Sequence, residues 1–209
     1  MNSNIKIATN QLKKGSFVVL YDGDKREGEA DLIFHANFAT PTKIMKLRKD
    51  AGGLICLATN QQIANMIGLP FFTDLLNKFK EIRINRTAYG DKPAFSLPIN
   101  HRNVYTGITD NDRSLTIKKF AKVVSENDGI KKDFKKNFYA PGHVFLLIGR
   151  SLNERRGHTE LSLELAKLAK LPAAMVLCEM LGKGKALSKK KAMEYAKKHN
   201  FIFLEGKEI

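Results

Sequence analysis

The sequence predicts an α/β protein, in which strands and amphipathic helices alternate along the chain. Apolar runs of strand length recur, and between them lie segments whose apolar residues repeat at helical spacing. The hydrophobic fraction of 43% is enough to build a core, and 209 residues fit one domain, 1–209.

Composition narrows the class of protein further. No run of about 18 apolar residues is present, so no membrane span is predicted. Residues 1–6 lack the apolar centre of a signal peptide, and a cytoplasmic protein is expected. Cys56 and Cys178 each lie in an apolar run, which favours reduced, buried thiols over a disulfide or a zinc site.

The formal net charge of +15 is the strongest compositional deviation. Such an excess attracts polyanions, and a nucleic-acid-binding module is therefore one hypothesis. Many of the lysines belong to 189–198, predicted as a solvated helix, and to 131–136, predicted as a loop. No aromatic residues are interleaved with them to stack on bases. General surface charge, which also favours a phosphorylated small substrate, is the preferred interpretation, and nucleic acid is not the expected partner.

The first half of the chain carries clear start signals for its helices. Thr40 and Pro41 begin a helix, because threonine caps a first turn and proline fits the first helical position. Asn60 is a second cap. The predicted elements are a helix at 5–14 closed by Gly15, strands at 17–21 and about 30–38, a helix from Thr40 to Gly52, a strand at 54–58, and a helix ending near Gly68. Residues 71–93 form an irregular connection, either a functional lid or a surface loop.

The second half continues the alternation. The strand-like segment at 94–102 contains Pro98, which predicts a sheet edge or a bulge. Asp110 or Asp112 is expected to cap the next helix, with one face formed by 117, 120, 121 and 124. The remaining predicted elements are a turn at Pro141-Gly142 leading into a strand at 144–148, a helix opening near 157, a strand at 173–179, a helix at 189–199 and a strand at 201–203.

An acidic turn lies between the first two predicted strands, with the sequence Arg26-Glu27-Gly28-Glu29-Ala30-Asp31. If this segment is extended, its three carboxylates alternate onto one face, beside Arg26. They repel one another unless a cation joins them, and hard divalent cations prefer oxygen ligands. The alternative is a solvated, charged hairpin turn.

A second polar segment, Arg155 to Glu160, opens an amphipathic helix. Free backbone N–H groups and the helix dipole suit a phosphate there, and Arg155 and Arg156 add charge-assisted donors. Thr159 adds a hydroxyl, and a neutral His158 is a possible metal ligand. The alternative is an ordinary capped loop.

These two segments together resemble 3,4-dihydroxy-2-butanone 4-phosphate synthase, an enzyme of riboflavin biosynthesis. The resemblance extends from about Gly15 to Phe203 and includes 48–56, His143 and the Cys178-Glu179 pair. Residues 106–113 resemble the family's Thr-Gly-Ile-Ser-Ala-x-Asp-Arg segment with Thr-Asp-Asn replacing Ser-Ala-x. That departure, with Ile-Asn-His-Arg at 99–102, resembles the archaeal branch.

The resemblance implies a three-layer α-β-α sandwich with a mixed sheet and a homodimer whose active sites lie near the interface. It implies conversion of D-ribulose 5-phosphate to L-3,4-dihydroxy-2-butanone 4-phosphate and formate. Glu27 and His158 are then the ligands of Mg²⁺ or Mn²⁺. Catalytic roles fall on Glu29, Asp31, Cys56, His143 and Glu179. Substrate contacts fall on Arg26, Asp31, Thr106, Thr109, Asp110, Arg155, Gly157, His158, Thr159 and Glu179.

Two alternatives complete the analysis. A nucleic-acid-binding or tRNA-modification protein, similar in fold to threonylcarbamoyl-AMP synthases, fits the charge but leaves the acidic turn and Gly157-His158-Thr159 unexplained. A bifunctional riboflavin enzyme with GTP cyclohydrolase activity needs a second domain and three zinc-binding cysteines, and is not expected.

Overall fold

The computed structural model describes residues 2–79, 81, 90–126 and 129–209, which form a mixed sheet flanked by helices. The sheet has seven strands in the order β4-β5-β3-β6-β2-β1-β7. Neighbours are antiparallel except β3 with β5 and β1 with β7. The strands are β1 (Val18–Tyr21), β2 (Ala30–His35), β3 (Cys56–Asn60), β4 (Phe95–His101), β5 (Phe138–Gly149), β6 (Met175–Leu177) and β7 (Phe203–Glu205).

Helices cover both faces of the sheet and give three layers. Helices α1 and α7 pack on one face, whereas α2, α3, α5, α6 and α8 pack on the other. In the described part of the chain, no helix combines the length and apolar character needed to cross a membrane. The helices are α1 (Ser3–Lys13), α2 (Pro41–Lys46), α3 (Gln61–Ile67), α4 (Phe72–Leu76), α5 (Asp110–Glu126), α6 (Ile130–Asn137), α7 (His158–Leu168) and α8 (Lys189–Lys198).

Alternation of side chains along the strands divides the core between these layers. In β1, Val18 and Leu20 join the cluster beneath α1 and α7, whereas Val19 and Tyr21 join the opposite cluster. Both clusters are buried, so every central strand is apolar on both faces. The predicted three-layer sandwich is confirmed.

Side-chain caps fix where several helices begin. Thr40 accepts a hydrogen bond from the backbone N–H of Lys43, and Asn60 accepts one from that of Ile63, as predicted. The predicted cap of α5 is wrong. Thr109 Oγ1 accepts the hydrogen bond from the Asp112 N–H at 3.1 Å, whereas the Asp112 carboxylate accepts one from Gly107.

Other differences from prediction have local causes. Strand β2 ends at His35 because its Nδ1 accepts a hydrogen bond from the Asn37 N–H and begins a 3₁₀ turn. Residues 131–136, predicted as a loop, belong to α6, where Phe134 stacks on Phe138. Two strands begin two residues later than predicted. Strand β3 begins at Cys56 rather than at 54, and β7 begins at Phe203 rather than at 201.

The turn predicted at Pro141-Gly142 lies inside the long strand β5 instead. A Cβ at Gly142 would lie 2.0 Å from the backbone carbon of Ile99, so only glycine permits this approach of β4. Strand β4 is an edge strand with shifted register near Pro98, as predicted. Of the predicted connection at 71–93, residues 80 and 82–89 lie outside the described residues.

Three strand ends converge at one edge of the sheet. Asp31, near the start of β2, lies opposite Glu179, which follows β6. Cys56, the first residue of β3, lies opposite Leu177 at the end of β6. The acidic turn, Glu179 and Cys56 are therefore brought together although they are distant in sequence.

Candidate active site

The acidic turn is ordered by Asp22, a residue that the sequence analysis did not select. Its Oδ2 accepts hydrogen bonds from the Glu27 N–H (3.1 Å) and from Arg26 Nη1 (3.0 Å). Its Oδ1 accepts one from the Glu29 N–H at 3.1 Å. The Asp22 side chain is fully buried, so these charge-assisted bonds fix the turn against the core. The only sequence signal was a carboxylate between an apolar strand and a glycine.

His158 lies between the acidic turn and the start of β2. Its Nε2 lies 3.0 Å from the carbonyl oxygen of Glu29 and 3.6 Å from Asp31 Oδ1. Its Nδ1 lies 3.7 Å from Glu27 Oε2. Donation from Nε2–H to the Glu29 carbonyl leaves Nδ1, on the Glu27 side, with the lone pair when the ring is neutral.

Burial and the charges of neighbouring groups shift the pKa values of His158, Asp31 and Glu29. Burial alone lowers the pKa of His158, but the carboxylates of Asp31, Glu27 and Asp22 outweigh it and raise the pKa to about 9. Burial raises the pKa of Asp31 to about 7, and the nearby carboxylates add to this while His158 opposes it. Burial also raises the pKa of Glu29. Several carboxylates thus lie close together around His158, and a bound cation would relieve their mutual repulsion.

The residues present fit a divalent cation. One ligand atom each from Asp22, Glu27 and His158 lies within 4.8 Å of the others. Asp22 accepts hydrogen bonds from two backbone N–H groups and does not line the cavity, whereas Glu27 and His158 both do. Glu27 pairs with Arg26 through Oε1 at 2.9 Å and has Oε2 on the His158 side. Asp31 Oδ1 is buried and makes no hydrogen bond within the described residues. Carboxylate oxygens with one imidazole suit Mg²⁺ or Mn²⁺.

The start of α7 supplies positive charge on the other side of the turn. A Cβ on Gly157 would lie 2.5 Å from Arg155 Nη1 and 2.8 Å from Arg26 Nη2, so glycine admits both guanidinium groups. Glu160 is buried and accepts hydrogen bonds from Arg155 Nη1 (2.5 Å) and the Gly157 N–H (3.2 Å). Glu160 occupies the capping-box position after Gly157, and that spacing is the signal by which sequence could have found it.

Glu179 and Cys56 complete the edge of the sheet. Glu179 Oε2 accepts a hydrogen bond from the Leu54 N–H at 2.9 Å, and its carbonyl accepts one from the Gly53 N–H. Burial raises the pKa of Cys56 well above its ordinary value, so its side chain is a thiol rather than a thiolate.

A cavity of about 220 Å³ joins these groups. It brings together seven of the predicted site residues: Glu27, Asp31, Cys56, Arg155, His158, Thr159 and Glu179. Pro93, Ala94, Phe95, Leu147 and Leu177 form its apolar wall. A larger groove of about 630 Å³ beside α7 is lined by residues of 150–153 and of α7. No residue of the acidic turn contributes to its lining.

Seven predicted site residues do not line the cavity. Arg26, Glu29 and Gly157 adjoin its lining residues in the chain, in the acidic turn and at the start of α7. The other four make contacts elsewhere. His143 is exposed on β5 and its Nδ1 lies 3.2 Å from Asn100 Nδ2. Thr106 donates to Asp112 at 3.4 Å, and Thr109 caps α5. Asp110 pairs with Arg48 at 3.0 Å. In this chain these four side chains make structural contacts, and the roles assigned to all the site residues stay predictions.

Comparisons with known proteins identify the family of the chain. The family model of 3,4-dihydroxy-2-butanone 4-phosphate synthase matches residues 6–209. The synthase of Methanosarcina mazei is 42% identical, covering 100% of this chain and 90% of its own. That of Archaeoglobus fulgidus is 44% identical, covering 94% and 88%.

Solved structures give the same result. A 3,4-dihydroxy-2-butanone 4-phosphate synthase in complex with two magnesium ions superposes with a TM-score of 0.79 at 25% identity, covering 97% of this chain and 93% of its own. Sequence and fold agree, and the chain belongs to the 3,4-dihydroxy-2-butanone 4-phosphate synthase family of riboflavin-biosynthesis enzymes.

Proposed function

We propose that this protein converts D-ribulose 5-phosphate to L-3,4-dihydroxy-2-butanone 4-phosphate and formate, with residues 1–209 acting as one catalytic domain. The observation that carries the proposal is the single cavity in which Glu27, Asp31, Glu179 and His158 face Arg155. The cavity thus combines acidic side chains, which suit proton transfer and the binding of a metal cation, with cationic side chains, which suit a phosphate. The cytoplasm is the proposed location, which suits two reduced cysteines.

The phosphate is assigned to the start of α7. Arg155 and Thr159 both line the cavity there, where a guanidinium, a hydroxyl and the backbone N–H groups of a helix start suit a phosphate. Glu160 holds Arg155 from behind, so the guanidinium is ordered before substrate arrives. Arg156 takes no part, because it donates to the Gly206 carbonyl oxygen at 3.1 Å.

The sugar carbons then extend toward the strand ends. Asp31 and Glu179, neighbours across the β2–β6 edge, take up and return protons as the carbon skeleton enolises, loses water and rearranges. Glu29 and the Cys56 thiol border this region. Glu27 and His158 would hold magnesium or manganese, which when bound would stabilise the negative charge that develops on substrate oxygens. The apolar wall excludes bulk water from the reacting carbons.

A homodimer is part of the proposal. Tyr105 is 95% exposed and Ile108 is 52% exposed, beside Thr106, Thr109 and Asp110. Exposed apolar side chains of this kind are typical of an interface. Pairing of two subunits there would place these three residues and His143 against a second copy, where substrate contacts are open to them.

The experiment that tests the proposal is formate release from D-ribulose 5-phosphate, with magnesium and with a chelator. We expect formate only with magnesium. His158→Ala is expected to abolish release while the circular dichroism spectrum stays close to that of the parent, because a metal ligand is lost at the cavity and no helix or strand is. Formate at the parental rate from the variant would remove the metal assignment.

A further inference from the structure

The anion site beside α7 already holds a carboxylate of the chain itself. Asp91 Oδ2 lies 2.8 Å from Arg26 Nη2 and 3.4 Å from Arg155 Nε, so one oxygen bridges two guanidinium groups. We propose that Asp91 is an internal competitor for this anion site, and that it sets the affinity of the site for phosphorylated compounds. The inference rests on the proposed assignment of the substrate phosphate to Arg155 and Thr159.

The site is built for an anion. The Arg155 side chain is only 9% exposed, and its Nε makes no hydrogen bond of good geometry within the described residues, since the 3.4 Å approach of Asp91 is an ion pair alone. The absence of a side chain on Gly157 brings the Arg26 guanidinium beside that of Arg155. A phosphate has three oxygens to offer, and it satisfies donors that a single carboxylate oxygen leaves unused.

The carboxylates around the two arginines differ in burial. Asp22 and Glu160 have fully buried side chains, each fixed by two backbone N–H groups. The Asp91 side chain is 34% exposed, so rotation toward solvent removes it from the site without opening the core. Two like charges at hydrogen-bond distance repel, so a phosphate binds Arg155 only as Asp91 leaves.

Asp91 also borders the reacting region along the chain. Pro93, Ala94 and Phe95, which follow it, line the cavity wall. Arg150 donates to the carbonyl oxygens of Lys92 and Pro93 and holds this segment in place behind Asp91. The Asp91 side chain can therefore turn away from the two arginines while the backbone of 92–95, which forms part of the cavity wall, stays in place.

The test is calorimetric titration of inorganic phosphate into the full chain, treated with chelator and compared at one salt concentration. We expect Asp91→Asn and Asp91→Ser to bind phosphate about tenfold more tightly than the parent, because the competing charge is gone. Asp91→Glu keeps the competing charge and is expected to stay near the parent. Asp74→Asn is the matched control, since it removes an equal charge from an exposed position on α4.

Equal or weaker phosphate binding by Asp91→Asn and Asp91→Ser would overturn the inference, as would absence of phosphate binding in every variant. Formate release by the parent chain tests the proposed function separately. Tighter phosphate binding without any formate would leave the inference standing and remove the reaction. Formate release by the parent, together with a phosphate affinity that Asp91→Asn leaves unchanged, would support the reaction and overturn the inference.

Discussion

At the scale of single residues, the site depends on buried carboxylates that bind backbone rather than substrate. Asp22 and Glu160 are the two examples, one under the acidic turn and the other under the start of α7. Both were missed by reasoning from sequence, because an acidic residue beside a turn looks the same whether it faces solvent or the turn's own N–H groups. Glu27 and His158 were found because two separated motifs pointed to one cation.

Asp22→Asn tests the first of these carboxylates. An amide keeps the size but presents an NH₂ group to one of the two backbone donors, so the turn that carries Glu27 loses its fixed geometry. We expect magnesium affinity to fall about tenfold, as for other groups that orient metal ligands. Calorimetric magnesium titration checks this, with the solvent-exposed Asp24→Asn as control in the same turn. Equal affinities for Asp22→Asn and the parent would contradict it.

His35 gives a prediction about stability and pH. Burial lowers its pKa below the ordinary 6.5, although a hydrogen bond with the Pro172 carbonyl oxygen partly opposes this. Just below pH 6.5 the unfolded chain therefore binds more protons than the native chain at this residue, and the free energy of unfolding falls as pH falls.

The measurement is urea unfolding of the parent and His35→Gln at a series of pH values from about 7 to about 5. We expect the parent to lose stability more steeply over this range, because the glutamine variant has no proton to take up at that position. Parallel curves for the two proteins would show that His35 is not the group responsible.

At the scale of elements, the beginning of α7 is the decisive feature. Its first turn places His158 against the acidic turn, Thr159 in the cavity wall and Arg155 over Gly157. The sequence predicted this helix and its start correctly. The same analysis predicted the wrong cap for α5, since Thr109 and Asp112 both suit a cap and only the path of the preceding loop decides between them.

Gly157→Ala tests that helix start. The backbone of Gly157 is extended, so alanine is not strained there, but its Cβ would displace the guanidinium groups of Arg155 and Arg26. We expect KM for the phosphorylated substrate to rise about tenfold, with a smaller change in kcat, because phosphate binding is lost before chemistry. Gly182→Ala is the control, since its Cβ would meet neighbours at ordinary distances of 3.5 Å or more. Steady-state kinetics showing the same KM for both variants would contradict the assignment.

At the scale of the whole molecule, the fold class was predictable and the strand order was not. Apolar runs and caps located most strands and helices, because those signals are local. The pairing of β2 with β6 and of β3 with both β5 and β6 is set by contacts between distant segments, which periodicity does not encode. Glu27 and Glu29 also converge with Asp31 by a folded loop rather than by the extended alternation that was predicted.

The proposed dimer belongs to this scale. Ile108→Glu introduces a charge into the exposed apolar loop that carries Tyr105, and burial of that charge at an interface is costly. We expect the parent to sediment with about twice the chain mass of 23.5 kDa and the variant to shift toward the single-chain mass. The variant is also expected to lose formate release in proportion. A monomeric parent would remove the dimer from the proposal.

The sheet order has a consequence for how the protein is made. The hairpin of β1 and β2, which carries the acidic turn, has β6 and β7 as its outer neighbours, and both come from the last 35 residues of the sequence. During synthesis both edges of this hairpin therefore stay unpaired until residues 175–205 have emerged from the ribosome. Pairing between such distant segments slows folding, so the part of the sheet that carries the acidic turn is completed late. Its unpaired strand edges are exposed to aggregation, and to binding by chaperones, until then.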